Sequence, residues 1–357
     1  MKNILFPITL ILLAVRPLYA QTDSSGVQIT FSGYAEPYYG YDLNQPADAN
    51  RPGFVYAHHR HNEFNVNLAF LKATLSAPRL RGNLGLMAGT YANANLSAEP
   101  GTLKNVWEAN AGVRLSKQHE LWVDAGIFGS HIGFESAIGK DCWTLTRSII
   151  ADNSPYYEAG AKISYTSANG KWLLSALLLN GWQRIQRLPG NTAPSGGWQI
   201  QFKPSERVTL NSSSFIGTDK PDSIGLRRVF HNFYGIFQLT ERLGLILGLD
   251  TGWEENPRAG EAANAWFGPV AIGRYAFSDR LALALRAEYY ADEHGVIISP
   301  GGFKTLGLSA NLDVQIHRNA LWRIEGKWWN SQEAIFTKNK RPTSNNAVLT
   351  TALALWF

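Results

Sequence analysis

Residues 305–316 read Thr-Leu-Gly-Leu-Ser-Ala-Asn-Leu-Asp-Val-Gln-Ile, and their alternation decides the fold class. Leu306, Leu308, Leu312, Val314 and Ile316 share one parity; Thr305, Ser309, Asn311, Asp313 and Gln315 share the other. Successive side chains of a strand point to opposite faces, so this segment has an apolar face and a polar face. The same period of two recurs along the chain. Leu243, Leu245, Leu247 and Leu249 alternate with Arg242, Gly244, Gly248 and Asp250. Leu281, Leu283 and Leu285 alternate with Arg286 and Glu288, and Trp322, Ile324 and Trp328 with Arg323, Glu325 and Lys327. Near the start, Phe64, Val66, Leu68 and Phe70 alternate with Glu63, Asn65 and Asn67. The chain is all-β.

Composition narrows the class. Of 357 residues, 45% are hydrophobic and 17% charged, which supplies enough apolar surface to exclude wholesale disorder. Beyond residue 20 the longest clean apolar run is Leu243–Leu249, too short and glycine-broken for the ~18 residues of a membrane-crossing helix. The net charge of +5 is spread out, so nucleic acid is not an expected partner. Residues 1–20 read as a secretory signal: Lys2, then the apolar stretch Ile4 to Val15, then Leu18-Tyr19-Ala20 as the cleavage site. The expected mature chain, 21–357, is one domain whose first strand begins too early to leave room for a plug. Its only cysteine, Cys142, can form no internal disulfide, and a closed hydrogen-bonded sheet is another way to hold an exported chain together.

Two-faced strands fit a soluble sandwich or an outer-membrane barrel, and the connections discriminate. Short links, such as Lys117-Gln118-His119 and His317-Arg318-Asn319, alternate with long ones that each contain proline. Proline cannot donate to a ladder, so its concentration in connections supports the strand boundaries. Counting gives a transmembrane antiparallel up-and-down barrel of about 16 strands, with roughly 14 to 18 compatible, short periplasmic turns and long extracellular loops. Aromatic pairs at strand ends (Tyr38-Tyr39, Tyr289-Tyr290, Trp328-Trp329) match interfacial girdles. The last strand ends on Phe357, with Leu349, Leu353 and Leu355 on the same face. A terminal Phe of this kind is similar to the assembly signal of outer-membrane barrels, so lipids and the barrel-assembly machinery are expected partners.

The segments RHNEFNVNLAFLKATL (60–75) and VDAGIFGSHIGFESAIGKDCWTLTRSIIADNSPYYEAGAKISY (123–165) resemble the OmpL-like β-barrel porins of Gram-negative bacteria, a group well represented in Bacteroidetes. The resemblance extends along the mature chain and implies an outer-membrane barrel that passes small hydrophilic solutes. It leaves open a homotrimer, a structural or receptor barrel with a blocked lumen, and the exported soluble protein.

Lumen parity selects Glu63, Glu108, Asp124, Glu158, Glu288 and Glu325, with Arg114, Lys162, Arg286, Arg323 and Lys327, as candidate pore-lining residues. Mixed signs speak against a ring of one charge; bracing of the wall and solute selection are both open for each. Elsewhere the lumen positions are Gly, Ser, Asn and Thr, which leads us to expect little apolar filling. The longest connection, Ser130 to Pro155, carries Glu135, Lys140, Asp141 and Arg147. In sixteen-stranded general porins the loop at this place narrows the lumen, so it reads as a constriction, or else as a solvated surface loop. No catalytic residue, metal or cofactor is expected. There is no Gly-x-Ser-x-Gly elbow or His-Glu-x-x-His helix, and Asp141 beside Cys142 disfavours a thiolate. His58-His59-Arg60-His61 could hold a metal but reads more simply as a solvated loop cluster.

Overall fold

The alternating segments form sixteen antiparallel strands closed on themselves, in a computed structural model that describes residues 26–258 and 260–357. The expected signal and its cleavage site lie outside the described residues. One half of the wall is β1 (Gln28–Asp42), β2 (Phe64–Ser76), β3 (Leu80–Ala88), β4 (Val106–Arg114), β5 (Glu120–Gly129), β6 (Tyr157–Thr166), β7 (Trp172–Leu179) and β8 (Ser195–Ser205). The other half begins with β9 (Val208–Gly217), β10 (Arg228–Gln238), β11 (Leu243–Glu254) and β12 (Asn264–Ser278). It continues with β13 (Leu281–Asp292), β14 (Phe303–His317) and β15 (Ala320–Ser331). A small hairpin, β16 (Phe336–Lys338) and β17 (Arg341–Thr343), decorates the last loop before β18 (Asn345–Trp356) completes the wall.

Each wall strand pairs with its neighbours in the chain, and β18 pairs with β1, with Asp42 opposite Val348 and Tyr34 opposite Trp356. Closure leaves no open edge, which a hydrocarbon surrounding requires. The outward parity is an apolar belt: Leu247, Leu249, Leu285, Leu306, Leu308 and Leu349 are all exposed. Trp253, Phe267 and Trp328 flank it toward the long loops, and Trp172, Tyr275 and Trp322 toward the short turns. So large an apolar surface is a lipid surface.

Two β-bulges correct the simple parity. Ala35 faces Ala69 but Pro37 faces Val66, so Asn67 and Leu68 together oppose Glu36. Leu68 and Phe70, expected outside, are therefore buried on the lumen side, while Leu71 takes the outer face. Gly85 faces Glu108 and Leu86 faces Val106, which inserts Trp107 as an extra residue. The cause is local: a bulge shifts the following residues by one and exchanges the faces.

The interior is also more apolar than expected. Phe215, Phe230, Ile246, Trp266, Val270, Ile272, Tyr290 and Trp329 point inward and pack with residues carried in by the long loops. Individually these positions break the polar rule; together they form a dry half-lumen along β9–β15.

Candidate functional site

The connection between β5 and β6, residues 130–156, here called L3, folds into the barrel. Its local structure explains how so long a loop holds a shape. Ser130 and Ser136 accept the backbone N–H of the second residue onward, Ile132 at 3.1 Å and Ile138 at 3.0 Å. The Ser148 hydroxyl caps a short helix, α1 (Ile149–Asp152), by accepting from the Ala151 N–H at 3.3 Å. Arg147 donates to the carbonyls of Leu145 (2.5 Å), Ser136 (2.7 Å) and Ala137 (3.2 Å), tying the two arms together.

Apolar side chains and glycine notches seat the loop against the wall. Ile132, Ile149 and Ile150 join the dry cluster, with Phe134 and Trp143 packed beside it. The inward glycines of β11 are the seats: a Cβ at Gly244 would strike Trp143, and one at Gly248 would meet Phe134 at 2.7 Å. Glycines that read as hydrophilic lumen positions are thus points of close approach.

A buried polar latch completes the docking. Arg286 donates to the Thr146 carbonyl at 2.7 Å, to the Thr144 hydroxyl at 2.8 Å and to Glu325 at 2.9 Å. Glu135 of L3 stands 3.6 Å from the same guanidinium. Glu325 accepts the Thr146 N–H at 2.5 Å, and Glu288 accepts the Ile149 N–H at 2.7 Å. Lys327 bridges Glu288 (2.7 Å) and the Arg147 carbonyl (3.0 Å). Arg323 binds Asp313 at 2.6 Å and the carbonyls of Gly139 (2.6 Å) and Cys142 (2.9 Å). Charges this dry are tolerable only when paired and hydrogen-bonded, and these are.

The candidate residues therefore separate into groups. Arg286, Glu288, Arg323, Glu325 and Lys327 come together, buried, and bind L3; none opens onto free lumen. Glu135 and Arg147 lie inside the loop's own fold, whereas Lys140 and Asp141, 2.6 Å apart, remain partly exposed. On the opposite wall, Glu108 pairs with Lys72 at 2.8 Å and Asp124 binds Arg81 at 2.6 Å. Lys162 lies 4.8 Å over the Phe128 ring. Glu158 is fully buried at the start of β6. Arg114 pairs with Glu120 at the turn end of the wall. Glu63 is corrected from wall to rim: it precedes β2 and pairs with Arg60 at 2.9 Å. Phe357 sits on the outer face, its backbone bonded to Gly33.

Lys72 and Arg81 were missed by parity. Lys72 would have faced lipid had β2 been regular, at ~2–4 kcal/mol for a midplane lysine, and that cost was the available signal of a bulge. The histidine cluster is also corrected, because His58 is fully buried with Nε2 2.8 Å from Glu36. His61 is buried too, its Nδ1 accepting the Asp42 N–H at 2.9 Å. Burial pushes the Cys142 thiol up to about 11, and its Sγ donates to the Ser136 carbonyl at 3.2 Å.

Acid should tighten the loop. Burial pushes the Asp152 carboxyl up to about 6, against the opposing pull of Lys327 and Arg147 and with help from Glu135. An acid whose value rises on docking favours the docked state when protonated, and that contribution is lost as pH rises through about 6. Conductance is therefore expected to be lower at pH 5 than at pH 7.5, with the difference abolished in Asp152→Asn. Single-channel recording across that range checks this; an unchanged profile in the variant would refute it. His58, held below its usual range by burial, acts in the opposite sense as pH falls further.

A family model described as "Putative beta-barrel porin-2, OmpL-like" matches residues 28–357. No curated protein matches the chain. Among solved structures, the chain is similar to an anion-selective porin from Comamonas acidovorans, with a TM-score of 0.61 at 8% identity over 93% of this chain and 100% of that one. It is also similar to OmpF of Salmonella typhi, with a TM-score of 0.58 at 10% identity over 93% and 98%. OmpT of Vibrio cholerae in its trimer form gives 0.58 at 8% identity over 93% and 100%.

Proposed function

We propose a route for solutes through this chain, which belongs to the putative beta-barrel porin-2, OmpL-like family and is a passive-diffusion porin of the Gram-negative outer membrane. The observation that carries the route is that L3 is latched to β13–β15 and occupies most of that side. A cavity of about 300 Å³ remains against β12–β15, with Lys140 and Asp141 on its wall, and the larger of the two, about 540 Å³, lies between L3 and β1–β4, also with Lys140 on its wall. Solutes pass on that side. Lys140 and Asp141 act as the selective charges of the narrows, because water reaches them and the low-dielectric wall concentrates their field. Arg286, Glu288, Arg323, Glu325, Lys327, Glu135 and Arg147 act as braces that hold the loop. Glu108 lines the route on the far wall beside Lys72, whose charge moderates its pull, while Asp124 and Lys162 brace the wall next to it with Arg81 and the Phe128 ring.

Lys140→Glu is accordingly expected to move the reversal potential in a salt gradient toward cation preference. Lys338→Glu, on the exposed β16 hairpin, should shift it little, since salt screens a rim charge within ~10 Å at 0.1 M. Equal shifts from both would place the route elsewhere. Silence across several preparations of heat-modifiable barrel would oppose an open route altogether.

We further read the chain as a pore without catalysis, exported by its N-terminal signal, with Phe357 presented to the assembly machinery. We read it as a homotrimer through the β2–β5 face, where Ala88, Ala111 and Ala125 are exposed and leave a shallow surface. The trimer form of the Vibrio cholerae neighbour supports this, and cross-linking in native membranes tests it.

A further inference from the structure

The chamber between L3 and β1–β4 has a wall unlike that of a simple ion path. Tyr34 on β1, Phe70 on β2 and Trp107 on β4 form a continuous aromatic row. Phe70 and Trp107 stack with centroids 5.0 Å apart and planes within 1°. Tyr34 continues the row at 5.8 Å and 25°. The row exists because of the two bulges, which turn Phe70 inward and insert Trp107, and because of what lies between. Gly85 of β3 offers no side chain at that level, and a Cβ there would meet Trp107 at 3.0 Å. Beside the row, Lys72 and Glu108 form their 2.8 Å pair, both only partly covered. L3 closes the other side with Phe134 and Lys140.

We propose that this chamber is a saccharide-binding station on the solute path, the Trp107 indole at the end of the aromatic stack packing on the C–H face of a pyranose ring and the Lys72–Glu108 pair binding its hydroxyl edge. This rests on the pore reading and deepens it by naming the solute class. Three features select a sugar. Tyr34 and Phe70 are buried within the stack, so the partly exposed Trp107 is the ring left to the chamber, and an aromatic face in contact with water is costly unless a ligand covers it. A pyranose presents an apolar face and a polar rim at once, which matches rings bordered by a donor and an acceptor whose charges cancel. The volume of about 540 Å³ falls in the ~300–1,000 Å³ range of small-molecule sites, enough for one or two rings. A free anion would meet Glu108 as well as Lys72, and a purely apolar solute would leave that pair unsolvated.

The test uses the full-length protein with maltotriose as probe and a polyethylene glycol of equal mass as control. Planar-bilayer recordings should show sugar-dependent current interruptions that the glycol does not produce. Tryptophan fluorescence of the detergent-solubilised barrel should titrate with maltotriose in parallel. Trp107→Ala should weaken binding about tenfold, the scale of one lost aromatic contact. Gly85→Val, which keeps the ring but dislodges it, should give the same loss. Trp253→Phe, on the outer face, should leave binding unchanged. Heat modifiability shows that each variant is folded. Equal interruption by sugar and glycol, or unchanged sugar binding in both folded variants, overturns the proposal. So does benzoate binding in place of sugar. Open channels with no fluorescence titration sink the station but spare the pore; titration without channels does the reverse.

Discussion

Arg286→Met is expected to free L3 from the wall and raise single-channel conductance severalfold. The guanidinium is fully buried and serves both Glu325 and the backbone and hydroxyls of the Thr144–Thr146 segment, with Glu135 and Glu288 close by. Its removal leaves Glu288 and Glu325 with Lys327 as the cation facing them, and Glu135 with Arg147. Breaking a buried pair from one side costs ~3–5 kcal/mol, because the abandoned charge must be solvated. The loop can meet that need by leaving the wall, since its own internal ties through Arg147 do not depend on β13. The strand ladders are untouched, so heat modifiability should persist while L3 becomes sensitive to protease. Adding Glu135→Gln and Glu325→Gln to the same variant should restore much of the docking, because a neutral cluster asks for no counter-charge. Wild-type conductance and protease resistance in Arg286→Met would mean that apolar seating alone holds the loop.

Deleting Phe357 should cost most of the assembled barrel while leaving the few completed pores normal. The backbone N–H of Phe357 donates to the Gly33 carbonyl at 3.1 Å and its carbonyl accepts from the Gly33 N–H at 3.2 Å. These are the terminal rungs of the β1–β18 seam, and the ring covers Gly33 beside Leu71 on the lipid side. Backbone groups left unpaired in hydrocarbon cost several kcal/mol each, so the seam is where closure is most sensitive to one residue. Phe357→Ala separates the contributions, since it retains the rungs and removes the ring. A drop in the heat-modifiable band for both variants assigns the effect to the aromatic group; a drop for the deletion alone assigns it to the rungs. Wild-type yields from both would remove Phe357 from assembly.

The extent to which the site was readable varies residue by residue. Lys140 and Asp141 were selected as constriction charges and do stay partly exposed. Arg147 looked the same in sequence yet is fully occupied by the loop's own carbonyls. A charge on a loop does not reveal whether water or backbone will satisfy it, because the partner is chosen by how the loop closes. Gly244 and Gly248 looked like hydrophilic wall positions, and they are seats for Trp143 and Phe134 from a segment more than ninety residues earlier. The aromatic row was invisible for a different reason. It depends on the insertion of Trp107 and the doubled step at Asn67 and Leu68, and nothing in a period-two pattern announces the extra residue.

By itself, the sequence determined the kind of wall: all-β, about 16 crossings, an apolar outer face, short turns alternating with long loops, and the place of L3 after the fifth strand, and the structure fixed the number at sixteen. These follow from local rules, since the period of a strand and the exclusion of proline from a ladder act within a few residues. Only the tertiary structure decided which half of the lumen is dry, which charges brace and which meet water, and that two bulges turn Phe70, Lys72 and Trp107 inward. Those outcomes are set by pairing register and by contacts between segments far apart in the chain, where one inserted residue exchanges the two faces of a strand.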